Sequence, residues 1–512
     1  MHYSGSLYEL VLSLTKTEKR YFKLFARLNK EESNLIRIFD AISIQNLATD
    51  NEVKEYFTKQ PFVRHFDVYK VHLKEIILNS MRNFHQNRSK QNVLQNNLED
   101  VRFFFMKGLF KQCNKLIKSA KNLAQETGNF TILLDLLEVE GKIPEGKETY
   151  QNTNIKLHKL FEEQNFALNN LMLEIQVGFK ITTADLLIKK FETKESEIDY
   201  FELVKTVEEI NKFKTDESPA LQRKVYQSKA EFHRVLHQYT EAKKYIELLI
   251  VSYESSSITL RENVENYIKA LANRISLCIQ LNQFEDGLQW NEALKNVPLL
   301  LDKKQKRDNK LLALVDGYYI QNKLKIYLFC GEMEKVLPCV VETELLLSRK
   351  NSAIPEEMQT ELITLKVYYY FMLQDLQKIE TLLEFNKVTI TNIKNREQAI
   401  NLAMLQYLLA LIKGNPNELR NTFRSLYHLL LTGKGFSQFE HICLAFIRKS
   451  GSIESSSISK RKLENVLLKE LYKLETGPFW ENRSIRFDLI SWLEGRQKEL
   501  PLFQILKEKH PI

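Results

Sequence analysis

Apolar residues return along this chain at the three-and-four spacing of helices, and no sustained apolar–polar alternation marks a strand. Thr15 to Glu18 has the pattern of a capping box: Thr15 can accept from the backbone at Glu18, and Glu18 can reach back to Thr15. Tyr21, Phe22, Leu24, Phe25 and Leu28 then mark one apolar face. Further helices are predicted over 33–45, 51–60 and 67–90, the last with Val68, Val71, Leu73, Ile76, Ile77 and Met81 at helical spacing. Near the other end, Leu463 to Leu474 reads as a helix. A final one follows Pro478, with Ile485, Leu489, Trp492 and Leu493 on one face.

Between these ends a helix–turn–helix unit repeats. It reads Gly108-Leu109-Phe110 with Cys113, His237-Gln238-Tyr239 with Ala242, and Asn282-Gln283-Phe284 with Gly287. It returns as Gly331-Glu332-Met333 with Val336, Gln374-Asp375-Leu376 with Ile379, and Gly414-Asn415-Pro416 with Leu419. A turn former opens each unit, because a helix commonly ends in the left-handed conformation that Gly tolerates. The third residue starts the second helix, and a small or aliphatic residue follows three places later; where it is small (Cys113, Ala242, Gly287) two backbones can approach. From Tyr239 onward the intervals are 45, 49, 43 and 40 residues, and Phe110 to Tyr239 is 129, or three periods of 43. Ten residues past the anchor an apolar residue recurs at Ala120, Leu249, Leu294 and Leu426, but Thr343 and Asn386 break the pattern. Periods in this range belong to stacked helical arrays.

Composition supports an all-α chain. Gly (15) and Pro (10) are scarce for 512 residues, which leaves little punctuation for a β fold. The expected organisation is an N-terminal helical bundle or cap over 1–90, degenerate repeats over 91–445 (blurred between 130 and 215), a Ser-rich linker over 446–459 and a C-terminal helical cap over 460–512. The net charge of +9 is modest, although residues 1–90 hold 15 Lys and Arg against 10 Asp and Glu. That is a mild basic bias rather than the dense stripe of a dedicated nucleic-acid binder. Five scattered cysteines suit buried, reduced thiols. The apolar run near Leu402 to Ile412 falls short of the ~20 residues of a membrane span. A cytoplasmic location is expected.

Catalytic constellations are weak. His233 and His237 have metal-ligand spacing, but Arg234 stands where a zincin would place Glu. Thr432-Gly433-Lys434-Gly435 is a fragment of a phosphate loop without a preceding strand, and no Cys-x-x-Cys or Gly-x-Ser-x-Gly occurs. The expectation is a protein without enzymatic activity, metal or cofactor. Lys303 to Arg307 reads as a solvated basic turn. What remains is aromatic clustering at Phe103-Phe104-Phe105, Tyr318-Tyr319 and Tyr368-Tyr369-Tyr370-Phe371. Consecutive residues sweep too wide an arc of a helix to share one stripe. The plain expectation is helices packed on several sides; the functional one is a tyrosine of each cluster facing a partner. Tyr319, Tyr368 and Tyr370 are the candidate partner-binding residues, with Tyr370 as the outward member of its cluster.

Tyr226, Ala230, Tyr239, Ala242 and Leu249 fall at tetratricopeptide-like offsets, as do Gly108, Phe110, Cys113 and Ala120. Over roughly two-thirds of its length the chain resembles a divergent member of the tetratricopeptide-like superfamily, with a period longer than 34 residues. The whole chain also resembles solenoid proteins of Bacteroidota, a likeness that implies no particular activity. The superfamily implies an α-solenoid of antiparallel helix pairs, a right-handed superhelix with a concave groove that binds peptides. The expected function is therefore a protein- or peptide-binding scaffold. The alternative is a regulator whose N-terminal bundle contacts DNA and whose repeats sense a partner.

Overall fold

The five turn formers of the repeating unit that lie among the described residues sit where the chain reverses. In the computed structural model Gly108, Asn282, Gly331, Gln374 and Gly414 all adopt positive φ, between 55° and 74°. The residue two places on opens the next helix in all six units: Phe110, Tyr239, Phe284, Met333, Leu376 and Pro416. The intervening amide reaches five residues back, as in Gln283 N–H to Cys278 C=O (2.8 Å) and Asp375 N–H to Tyr370 C=O (3.0 Å). This bond satisfies a carbonyl that the helix end leaves open. The small residue three places past the anchor fits a close approach at Gly287, where a Cβ would lie 3.2 Å from Ile326 and 3.3 Å from Cys278. The register also survives its apparent break at Thr343, which is fully buried with its hydroxyl donating to Cys339 C=O (2.8 Å).

The structure describes residues 6–511 except 29–32, 46, 48, 87–89, 145–149, 194–196, 214–217, 237, 304, 349–353, 387–392, 394–395, 432–441, 447, 449–456 and 476–487. Among the described residues all regular structure is helical, and no helix is long and apolar enough to cross a membrane. His237, the 432–435 fragment, Ile485 and most of the expected 446–459 linker lie outside the described residues. The chain divides into two compact units, Met1–Leu173 and Glu174–Ile512.

The first unit opens with α1 (Ser6–Ser13), α2 (Lys16–Leu28), α3 (Ser33–Gln45), α4 (Asp50–Tyr56) and α5 (Phe66–His85). They enclose their own core of Tyr8, Phe22, Phe39, Leu73 and Ile77. The capping box at α2 forms, with Thr15 N–H on Glu18 (2.8 Å) and Glu18 N–H on Thr15 (3.3 Å). Glu18 also meets His85 at 3.0 Å, which ties α2 to α5. Val68 and Val71 are exposed, so the apolar face expected of α5 is wider than the face it buries. A separate core joins α6 (Lys90–Met106), α7 (Phe110–Thr127), α8 (Phe130–Lys142) and the start of α9 (Tyr150–Thr193). The blurred stretch is explained by α9: its 44 residues contain one glycine and no proline, so the pairing gives way to one long helix.

The second unit continues with α10 (Glu197–Asn211), α11 (Pro219–Val235), α12 (Tyr239–Glu254), α13 (Ser257–Glu262), α14 (Val264–Gln280), α15 (Phe284–Lys295) and α16 (Val297–Leu300). Then come α17 (Asn309–Phe329), α18 (Met333–Ser348), α19 (Glu356–Met372), α20 (Leu376–Phe385), α21 (Arg396–Lys413) and α22 (Pro416–Leu431). Its last helices are α23 (Ser457–Glu475), α24 (Leu489–Lys498) and α25 (Leu502–Lys509). Contacts run between neighbours: α11 packs on α12, α12 on α14, α14 on α15 and α17, α17 on α18 and α19, and α19 on α20 and α21. Polar links follow the same rule. The buried Arg274 of α14 bridges Glu247 of α12 (2.8 Å) and Asp286 of α15 (2.9 Å) and lies over the Trp290 ring. Lys366 of α19 reaches Glu344 of α18 at 2.8 Å.

Candidate functional site

In unit 2 the second helix of a pair packs on the first, and the first helices turn a polar stripe towards a shared cavity. On α14 this is clearest. Apart from Glu265 at its start, the exposed residues are Asn266, Lys269, Asn273, Ser276 and Gln280, and everything else is buried. Their 3-4-3-4 spacing places them on one line of the helix. Lys224, Gln227, Glu231 and Arg234 form the matching line on α11. Gln321 and Lys325 continue it on α17, Glu361, Thr364 and Tyr368 on α19, and Gln398 and Asn401 on α21. All of these border a single cavity of about 1530 Å³ within unit 2.

The cavity wall changes character across the helices. On α11 and α14 the stripe is solvated. Towards α21 it becomes buried and internally paired: Lys325 meets Glu361 at 2.7 Å, and the Gln398 amide donates to Glu361 at 2.8 Å. Burial pushes the Glu361 carboxyl up, but Lys325 and Gln398 outweigh it, and the group sits below its usual range. Tyr368 is almost fully buried, and burial pushes its phenol well above the ordinary value.

At Tyr368 the burial comes from the C-terminal helices. Leu489, Ile490, Trp492 and Leu493 of α24 and Leu502 and Leu506 of α25 share one apolar cluster with Leu324, Tyr368 and Leu405. Asp488, Glu494, Lys509 and His510 of the same segment border the cavity. The segment expected as a terminal cap thus turns back along the wall, reaching Phe284 through His510 (ring centroids 5.5 Å) and Glu332 through Lys507 (3.2 Å). At Gly331 a Cβ would lie 2.1 Å from the Phe503 carbonyl oxygen and 2.8 Å from Lys507 N. That glycine therefore serves both its own turn and the approach of α25.

Of the three candidate tyrosines, only Tyr368 borders the cavity. Tyr370, expected to face outward into a groove, lies two residues round the helix beside Tyr369 and below Lys378 of α20. Tyr319 lies against α15, with its hydroxyl donating to Glu292 (3.0 Å) and Lys295 over its ring at 4.9 Å. Tyr370 is the least buried of the three tyrosines of α19, while the cavity side of that helix is the one that carries Glu361 and Thr364. The signal that does find the wall is the polar 3-4-3-4 line on an otherwise apolar helix.

His233 stacks on Tyr245 (5.4 Å) and pairs with Gln238 (2.6 Å). Among the described residues no group of three His, Cys, Asp or Glu is placed to hold a metal. Burial raises the thiols of Cys278, Cys330 and Cys339 to about 11, which keeps them protonated. Lys303, Lys306 and Arg307 are exposed, and the exposed residues of α5 mix Asp67, Lys74 and Glu75 with Val68 and Val71. The sequence is matched by no protein-family model and by no curated protein.

Proposed function

We propose that this protein is a non-enzymatic scaffold that grips a peptide or protein segment in the cavity of unit 2. In this reading the helix pairs are degenerate tetratricopeptide-like repeats stacked as a right-handed solenoid, and α11, α14, α17, α19 and α21 form its concave side.

The observation that carries the proposal is the alignment of one polar stripe from each of these helices on a common cavity. Asn266, Asn273 and Gln280 on α14, with Gln227 on α11, project carboxamides from the solvated part of the wall. A carboxamide carries a donor and an acceptor side by side, the same pair that a peptide group offers. A row of them suits an extended main chain without demanding a particular side chain. Lys224 and Lys269 add positive charge, and Glu231 adds negative charge nearby, so side-chain selectivity comes from charge placement.

Selection of peptides from a random display library against the full chain tests this. Enriched peptides should lose roughly tenfold or more in affinity on Asn266→Ala with Asn273→Ala, about one hydrogen bond's worth per site. Lys244→Ala, on the exposed face of α12, should change nothing. Peptides insensitive to the stripe substitutions would sink the proposal.

A further inference from the structure

The long helix α9 carries apolar residues on two opposite sides. Val177, Ala184 and Ile188 are buried on one. On the other, Phe161, Leu168, Met172, Ile175, Phe179 and Leu186 are 46–67% exposed. At about 100° per residue these six fall within about 60° of the helix circumference. Asn165 and Thr182 complete the row, whose members stand alternately four and three residues apart from Phe161 to Leu186. That alternation is the heptad seam along which two helices wind around each other. Single exposed apolar side chains are ordinary, but a straight row of six marks a surface that associates. Of the row only Thr182 also borders the cavity of unit 2, so the seam is a surface distinct from the cavity wall.

We propose that this row is a dimer seam whose occupant is α9 of a second copy of this chain, running antiparallel. In a two-fold pair, residue i of one copy meets residue j of the other, and j meets i. With the axis passing between Leu173 and Glu174, Met172 meets Ile175 of the second copy, Leu168 meets Phe179, and Phe161 meets Leu186. The two polar members, Asn165 and Thr182, meet each other. No apolar residue of the row is set against a polar one. Each phenyl ring lies against an aliphatic side chain, which fills the layers evenly. A parallel pair would stack Phe161 on Phe161 and Phe179 on Phe179 and leave the aliphatic layers thin. The edges agree with the antiparallel register: Asn169 meets Gln176 and Glu162 meets Thr183, so no like charges come together. The row is thus complementary to its own reverse at every layer. Binding a foreign helix does not require that property, whereas pairing with a second copy does.

Sedimentation equilibrium of the full chain tests this, with circular dichroism melts as the control for folding. Wild type should form a concentration-dependent dimer. Phe179→Asp should weaken it at least roughly tenfold at an unchanged melting temperature, because the two-fold brings each new charge into the seam twice. The register is tested by mixing. Met172→Glu and Ile175→Lys should each weaken the dimer alone. A mixture of the two chains should associate roughly tenfold more tightly than either, because one layer then holds a Glu–Lys pair while its symmetry mate keeps Met172 on Ile175. A wild type that remains monomeric at every concentration overturns the proposal. So does a dimer unmoved by Phe179→Asp, which would lie on another surface. A mixture no tighter than its parts overturns the antiparallel pairing. Should Phe179→Asp lower the melting temperature, the mixing experiment decides alone.

Discussion

At the scale of single residues, the three adjacent tyrosines of α19 show how burial divides roles. Tyr368 and Tyr369 are each only 5% exposed, and Tyr370 is half-buried. Truncating a large buried aromatic costs about 3–5 kcal/mol, so Tyr368→Ala and Tyr369→Ala should both lower the melting temperature strongly, and Tyr370→Ala clearly less. Equal losses at all three, measured by thermal unfolding, would contradict this division. The turns give a second residue-scale test. Gln374 holds φ at 58°, a conformation that costs a side-chain-bearing residue about 1 kcal/mol, whereas Gly414 holds 70° with open space around its Cβ position. Gln374→Gly should raise stability by up to about 1 kcal/mol, and Gly414→Ala should lower it by a similar amount. Denaturant midpoints decide; opposite signs from these would mean that contacts, not φ, govern the two turns.

At the scale of elements, the sequence was most legible where backbone chemistry is local. Positive φ, helix start and small-residue approach could be read at the repeat turns because each depends on one or two residues. The stripe of α14 is equally local, but a polar line on a helix is also what an ordinary solvated face looks like, and only the shared cavity sets it apart. What could not be read was the return of α24–α25 along the wall. That placement rests on contacts between residues such as Phe503 and Gly331, which lie far apart in sequence, and no periodicity encodes them. The hairpin also carries a pH dependence. Burial lowers the His510 pKa, with Lys509 acting in the same direction and Asp488 opposing. The folded state thus prefers neutral His510. The stability it lends docking is fully present above the ordinary histidine range and is lost as pH falls through the lowered value. Exchange of α25 amides should accelerate relative to α14 as pH drops from about 7.5 to about 5.5, after correction for intrinsic rates, and His510→Gln should remove the difference. An unchanged ratio in wild type would show that His510 does not govern docking.

At the scale of the molecule, unit 2 is held by neighbour-to-neighbour links such as Arg274 to Glu247 and Asp286, Lys325 to Glu361, and Lys366 to Glu344. These links join successive helices and leave the polar stripe of α14 exposed. The most direct test of the groove is therefore an affinity measured beside a stability. For a library-selected peptide, Kd is compared between wild type and Asn273→Ala with Gln280→Ala, and both chains are melted. Both residues are exposed, so stability should stay within about 0.5 kcal/mol. Kd should weaken roughly tenfold at an unchanged melting temperature. An unchanged Kd would contradict the proposed groove.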